Sequence, residues 1–92
     1  MTLTEQHEQI ATDLAQLLAS WHVRAEAAEL TEVAIPEPEQ AAVKQAARVF
    51  GEQLNAEGGF ELMQAVGRRA TDLAGTFRYL DFWWCGIGRW AA

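Results

Sequence analysis

Three side chains in the first forty residues have the types and the spacing of metal ligands. His22, Glu26 and Glu29 lie four and then three residues apart, which places them on one face of a helix. Protein zinc sites use several histidine or cysteine side chains, and no cysteine or second histidine stands at ligand spacing here. We therefore interpret this face as lying at the boundary between the buried and the exposed sides of the helix. We predict no metal and no cofactor.

The same stretch carries the side chains with which this chain would hold a small molecule. The candidate ligand contacts are Trp21, His22, Arg24, Glu26 and Glu29. In helical bundles, such a pocket forms between helices or between subunits. Arg24 also falls on the apolar spacing of its helix, and we expect it to form an ion pair with Asp72 or Asp81.

No pair of residues has the arrangement of a nucleophile and its activating base. Ser20 and His22 are two residues apart, so they point to different sides of a helix. Cys85 has Arg89 one turn later, but a buried thiol is usually inert. We assign no catalytic residue and leave the question of enzymatic activity open, with a non-enzymatic role favoured.

Several pairs of glutamates are separated by one helical turn. These pairs are Glu5 and Glu8, Glu26 and Glu29, and Glu29 and Glu32. Their spacing resembles half of the magnesium motif of the MazG-like nucleotide pyrophosphohydrolases, which are small helical oligomers. That family also carries Glu-x-x-Asp on another helix, and this chain has no such pair. The resemblance therefore implies no magnesium site here.

The last part of the chain is unusually rich in aromatic residues. Drawn as a helix, it has two apolar stripes, and a helix that is apolar on two sides must be buried on two sides. A chain of 92 residues offers few elements to do this, so we predict that a second subunit covers the segment. A monomer core, a ligand pocket and a surface for another protein are the alternatives. The predicted interface residues are Phe77, Tyr79, Phe82, Trp83, Trp84, Ile87 and Trp90.

The segment from Trp84 to Trp90 reads Trp-Cys-Gly-Ile-Gly-Arg-Trp. It resembles the ending of small uncharacterised bacterial all-helical proteins, in the form Trp-x-Gly-Ile-Gly-x-Trp. The stretch from Gly58 to Met63 also resembles these proteins. The resemblance implies a helical fold and carries no activity or cofactor with it.

The elements that must position these residues are helices. Apolar residues recur every three or four positions, and no strand pattern appears. We predict helices over residues 4–30, 38–57 and 60–87, with a Thr-Glu capping box at the start of the first. Pro36 and Pro38 separate the first two helices, and Gly58 and Gly59 separate the last two.

We therefore predict a single all-α domain over residues 1–92. Its architecture is a bundle of three long helices, or four if Gly75 breaks the last, completed by oligomerisation. A continuous last helix is favoured because its apolar phase survives across Gly75. The predicted core consists of Ile10, Leu14, Leu17, Trp21, Val43, Phe50, Leu54, Met63, Val66, Leu73, Phe77, Leu80 and Trp84.

The net charge of the chain limits the classes of partner that it is expected to bind. The net charge is −6, and residues 1–40 carry eight acidic side chains against one basic one. This balance argues against nucleic acid, which needs a basic patch, and against an anionic membrane. The single cysteine excludes an intrachain disulfide framework. We expect no signal peptide and no membrane-spanning helix, and hence a cytoplasmic protein.

Two functional hypotheses follow. The first is a non-enzymatic helical module that forms a homodimer or homotetramer through its aromatic C-terminal segment. The second is a helical protein that binds, or hydrolyses, a small molecule at a site between helices or subunits. Another protein remains a possible partner under the first hypothesis.

Overall fold

The computed structural model describes residues 2–76 and 78–90. Helices, turns and short irregular segments account for these residues, and no strand occurs among them, as the all-α prediction requires. The helices are α1 (Glu5–Thr31), α2 (Glu37–Ala74) and α3 (Leu80–Trp84). Two of them are long and one is short, whereas the sequence pattern predicted three long helices.

Helix α1 begins and ends within a residue of its predicted bounds. Thr4 is its N-cap, and the Thr4 hydroxyl accepts a hydrogen bond from the backbone N–H of His7 at 3.1 Å. Glu5 and Glu8 lie in the first turn, where acidic side chains favour the positive end of the helix dipole. The helix ends at Glu32, whose left-handed backbone directs its N–H to the carbonyls of the last turn.

Helix α2 is two helical arms joined by a kink at Gly59. That glycine has φ 69° and ψ −158°, a backbone region that only glycine occupies without strain. A straight helix of 38 residues would be about 57 Å long, but the longest dimension of the whole protein is 42 Å. The chain therefore turns at the predicted Gly58–Gly59 boundary. We call residues 37–58 α2N and residues 60–74 α2C.

Contacts with α1 give the direction of α2N. His7, at the start of α1, contacts Glu57 at the end of α2N, with 2.9 Å between Nε2 and Oε1. Arg24, near the other end of α1, contacts Glu39 at the start of α2N with two hydrogen bonds of 2.8 and 3.3 Å. The two helices are therefore antiparallel. Arg24 does not pair with Asp72 or Asp81, because Glu39 lies opposite it across the turn between α1 and α2.

The same contacts hold two glutamates in their charged form. Hydrogen bonding from the Arg24 guanidinium lowers the pKa of Glu39 below its ordinary value. A hydrogen bond from His7, with a second from Gln53, lowers the pKa of Glu57. The two pairs thus link α1 to α2N near opposite ends of the two helices.

Helix α2C runs in the same direction as α1. Glu8 contacts Arg69, with 3.3 Å between Oε2 and Nε. His22, further along α1, reaches Tyr79 beyond the end of α2C, with 3.5 Å between Nδ1 and the hydroxyl. The three long segments α1, α2N and α2C thus pass up, down and up through one bundle.

The prediction of one helix from residue 60 to residue 87 is wrong beyond Ala74. Gly75 has φ 73°, and its N–H closes the helix by donating to the Thr71 carbonyl at 2.9 Å. This is the left-handed C-cap that glycine favours. The apolar phase that continues past Gly75 belongs to the short helix α3 and the turn after it.

The core lies between the three long segments and the C-terminal residues. Leu73, which was predicted to be buried, is 47% exposed, because α2C ends one residue later. Phe77, also in the predicted core, lies outside the described residues. Of the remaining predicted residues, Leu17, Trp21, Val43 and Phe50 are partly buried against the core. The buried hydrophobic residues are Ile10, Leu14, Leu54, Met63, Val66, Leu80 and Trp84 of the predicted core, joined by Ala11, Ala15, Leu18, Ala47, Leu62, Ala70, Trp83 and Ile87.

Candidate functional site

The candidate site is formed by α2C and the residues that follow it, and its floor depends on Trp84. This side chain is fully buried, and its indole N–H donates to the Ala47 carbonyl on α2N at 2.8 Å. Gly51 and Gly67 let the ring approach both arms of α2. A Cβ at Gly67 would lie 3.1 Å from Leu80 Cδ2 and 3.2 Å from Trp84 Cζ3. The ring is therefore wedged between α2N and α2C.

Arg48 holds the end of α3 against α2N. Its Nη1 donates to the carbonyls of Trp83 at 2.9 Å and Cys85 at 2.8 Å. Carbonyls at the end of a helix have no partner within it, so a guanidinium satisfies them and favours the negative end of the helix dipole. The sequence around Arg48 carries no signal of this role, because its partners are 35 and 37 positions away.

The chain turns back after Trp84. Gly86 and Gly88 have φ of 89° and 53°, which glycine adopts freely, and the Trp90 N–H donates to the Ile87 carbonyl at 2.9 Å. The turn places the Trp90 ring edge-on to Trp84, with 4.9 Å between centroids. Trp90 thereby becomes a wall of the site instead of continuing a helix.

Two further contacts fix the Trp90 ring. Its centroid lies 5.8 Å from that of Phe60 in an edge-to-face arrangement. Its indole N–H donates to Oδ1 of Asp81 at 3.2 Å. Arg89 lies over the other ring of this pair, with its guanidinium carbon 5.6 Å from the Phe60 centroid.

An open pocket of about 640 Å³ lies between α2C and the C-terminal segment. This volume falls in the range that holds small organic ligands. One wall is a stripe of α2C, and the other comes from α3 and the turn after it. The lining residues are Phe60, Gln64, Gly67, Arg68, Thr71, Leu80, Asp81, Phe82, Cys85 and Trp90.

The pocket has aromatic walls with a few polar groups. Arg68 and Asp81 bring opposite charges to its two sides, and neither belongs to an ion pair within residues 2–76 and 78–90. The Thr71 hydroxyl donates to the Arg68 carbonyl at 3.0 Å. The Cys85 thiol is partly exposed at the edge of this space. The arrangement suits a ligand with an apolar body and charged ends.

The predicted interface residues divide into two groups. Trp83, Trp84 and Ile87 are at most 5% exposed and belong to the core of their own chain. Phe82 is 67% exposed, and the Lys44 ammonium lies 4.7 Å from its ring centroid.

The other members of that set lie between these extremes. Tyr79 and Trp90 are partly buried against the core. Tyr79 stacks on Trp83 with 5.8 Å between centroids. Phe77 lies outside the described residues. Of the predicted interface residues, Trp83, Trp84 and Ile87 are therefore covered by their own chain, whereas Phe82 is not.

The predicted ligand contacts do not line the large pocket. Trp21 packs on the core, and Arg24 is engaged by Glu39. His22 contacts Glu26, with 3.4 Å between Nε2 and Oε1, and it also faces Tyr79.

Glu29, the last of the predicted ligand contacts, lines a smaller groove at the turn between α1 and α2. Within the described residues, no group of three histidine, cysteine or acidic side chains is placed to hold a metal. The face of His22, Glu26 and Glu29 is thus separate from the candidate site.

One wall of the pocket has a signal in the sequence. Phe60, Gln64, Gly67 and Thr71 recur at helical spacing on α2C. Gly67 allows the close approach of Leu80 and Trp84. The residues across the pocket come from α3 and the turn after it, an arrangement that one continuous helix over residues 60–87 would not form.

Comparison with known proteins finds no matching protein family, no similar curated protein and no similar solved structure. The resemblance of the Trp84–Trp90 segment to small bacterial helical proteins stays a prediction. No helix in the described part of the chain has an apolar stretch that could cross a bilayer. Any inference about function must therefore rest on the geometry of the pocket.

Proposed function

We propose that this protein is a non-enzymatic helical module that binds a small aromatic ligand in the pocket between α2C and the C-terminal segment. The observation that carries the proposal is the pocket of about 640 Å³ with aromatic walls and convergent polar groups. Ligand sites in proteins have this character: mostly apolar, with a few polar groups that orient the ligand.

The rigidity of the pocket supports this proposal. Trp90 is held by Phe60, Trp84 and Asp81, so one wall is already in place before a ligand arrives. A preformed site avoids the entropic cost of ordering side chains on binding. Within the described residues, no hydrogen bond joins the Cys85 thiol to a base, so the proposal includes no catalytic step.

Indole is a suitable neutral probe of the pocket. We expect it to shift the amide resonances of Gln64, Arg68 and Thr71 saturably in an NMR titration of the ¹⁵N-labelled protein, because these residues line one wall. The variant Gln64→Trp fills the space from an exposed position of α2C and should lose the shifts.

The matched control is Gln16→Trp, which places the same side chain at an exposed position of α1 away from the pocket. It should bind indole as the wild type does. Equal binding by the Gln64→Trp variant, or no response of the wild type, would overturn the proposal.

A second candidate function is self-association, which the exposure of Phe82 favours. This ring and Lys44 form an apolar and basic surface, whereas residues 1–40 carry a net charge of about −7 from eight acidic side chains and one basic one. This charge complementarity supports a second copy, through its α1, as the proposed partner of this surface.

Light scattering after size-exclusion chromatography measures this association. If the second candidate holds, the wild type is a dimer or larger, and Phe82→Ser reduces it to a monomer. The control Leu73→Ser removes an exposed apolar side chain, 47% exposed, from α2C, which belongs to neither of the two surfaces. A monomeric wild type at all concentrations would exclude self-association.

A further inference from the structure

The pocket presents one cation and one anion that are held apart. Arg68 lies on α2C and Asp81 on α3, and both line the same space. Neither side chain belongs to an ion pair among residues 2–76 and 78–90. Within that part of the chain, both charges are therefore open to a ligand placed between them.

The carboxylate of Asp81 is oriented by the protein and still has capacity for a ligand. Its Oδ1 accepts the Trp90 indole N–H at 3.2 Å. An ionised carboxylate has about four acceptor sites, so one bond from Trp90 leaves most of them open. Trp90 thus fixes the direction of Asp81 while its own ring contributes to the apolar wall.

The surface between the two charges is apolar and aromatic. Phe60 and Trp90 meet edge to face, and Leu80 lies on the floor against Gly67. A ligand that matches this apolar surface and the two charges beside it needs an apolar ring, a carboxylate and an ammonium group.

We propose that the pocket binds a small zwitterion with an aromatic body, of the class of the free aromatic amino acids. The Arg68 guanidinium donates to the ligand carboxylate, and the Asp81 carboxylate accepts from the ligand ammonium. The ligand ring packs against Phe60 and Trp90. This inference rests on the proposed function and identifies its ligand class.

Four compounds with one indole ring separate the contributions of the two charges. Tryptophan carries both charges, tryptamine carries the ammonium, indole-3-propionate carries the carboxylate, and indole carries neither. Isothermal titration should give tryptophan the highest affinity. Loss of either charged group should lower the affinity about tenfold, since hydrogen bonds to charged groups are the stronger ones.

Two charge-removing variants assign each end of the ligand. Arg68→Gln should weaken tryptophan and indole-3-propionate and leave tryptamine unchanged. Asp81→Asn should weaken tryptophan and tryptamine and leave indole-3-propionate unchanged, while the asparagine oxygen still accepts from Trp90. The matched control is Arg69→Gln, because Arg69 faces Glu8 of α1 and not the pocket.

The possible outcomes are distinct. If all four compounds bind equally to the wild type and to both variants, the zwitterion inference is overturned, while the proposed pocket stands. If none binds, the proposed function falls with it. If Arg69→Gln weakens tryptophan as much as Arg68→Gln does, general surface charge accounts for the effect and the inference is overturned.

Discussion

Replacing Trp84 with alanine is expected to lower the free energy of unfolding by about 3–5 kcal/mol, the range for buried Trp-to-Ala changes. The side chain is fully buried and fills the space between Ala47, Gly51 and Gly67. Its removal leaves a cavity where α2N, α2C and α3 meet. Urea unfolding followed by circular dichroism measures the loss. Since small domains have about 5–15 kcal/mol of total stability, this is a large part of it.

Two further variants keep this test informative if Trp84→Ala fails to fold. Trp84→Phe retains an aromatic ring and loses the hydrogen bond to the Ala47 carbonyl, which should cost about 1–2 kcal/mol. Phe82→Ala, two residues away and exposed, should change stability by less than about 1 kcal/mol. Equal losses for Phe82→Ala and Trp84→Phe would contradict the burial of Trp84 in its own chain.

Replacing Gly51 with alanine is also expected to destabilise the protein, by about 1–3 kcal/mol. A Cβ at this position would lie 2.7 Å from Trp84 Nε1, 2.8 Å from Trp84 Cδ1 and 3.0 Å from Ile87 Cδ1. The indole is buried and hydrogen-bonded, so it cannot move aside freely. The clash must exceed the helix propensity that favours alanine over glycine by about 1 kcal/mol.

A second variant in α2N measures the difference in helix propensity between alanine and glycine alone. Ala46→Gly, at an exposed position of α2N, should lose about 1 kcal/mol because it carries no packing change. If Gly51→Ala instead stabilises the protein by that amount, the C-terminal segment does not pack against α2N. Both variants are compared by the same urea unfolding experiment.

The long helices could be predicted from the sequence because their end signals are local. Thr4 caps α1, Pro36 and Pro38 begin α2, and Gly59 interrupts it near the predicted boundary. Each of these residues acts through its own backbone or its nearest neighbours. Periodicity also identified much of the core, from Ile10 to Leu54, since one face of each helix is buried.

The C-terminal segment could not be predicted in the same way. Leu80, Trp84 and Ile87 keep helical spacing, but the same spacing is compatible with a short helix followed by a turn. Two features favour the short helix and turn over a continuous helix. The first is the left-handed backbone of Gly75, and the second is the packing of Trp84 against Gly51. The second is a contact between residues 33 positions apart, and no periodic pattern contains it.

The candidate site depends on two such distant segments. Arg68 and Asp81 reach one pocket only because the chain breaks at Gly75 and turns back. The ligand contacts predicted on α1 rested on the types of Trp21 and His22 within one helix, whereas the structure places these residues against Tyr79 and the core. Residue types within one helix therefore did not predict the pocket between α2C and the C-terminal segment.

A tryptophan titration tests most directly whether the pocket between α2C and the C-terminal segment binds an aromatic zwitterion. The protein is ¹⁵N-labelled, and the indole N–H resonances of its tryptophan residues are followed. Trp84 lies below the pocket with its N–H bound to Ala47, and Trp90 lies in the pocket wall with its N–H bound to Asp81. We expect the Trp90 indole signal to shift saturably on addition of tryptophan, while the signals of Trp84 and the distant Trp21 stay in place. A Trp90 signal that does not move, or equal shifts at all the indoles, would contradict it.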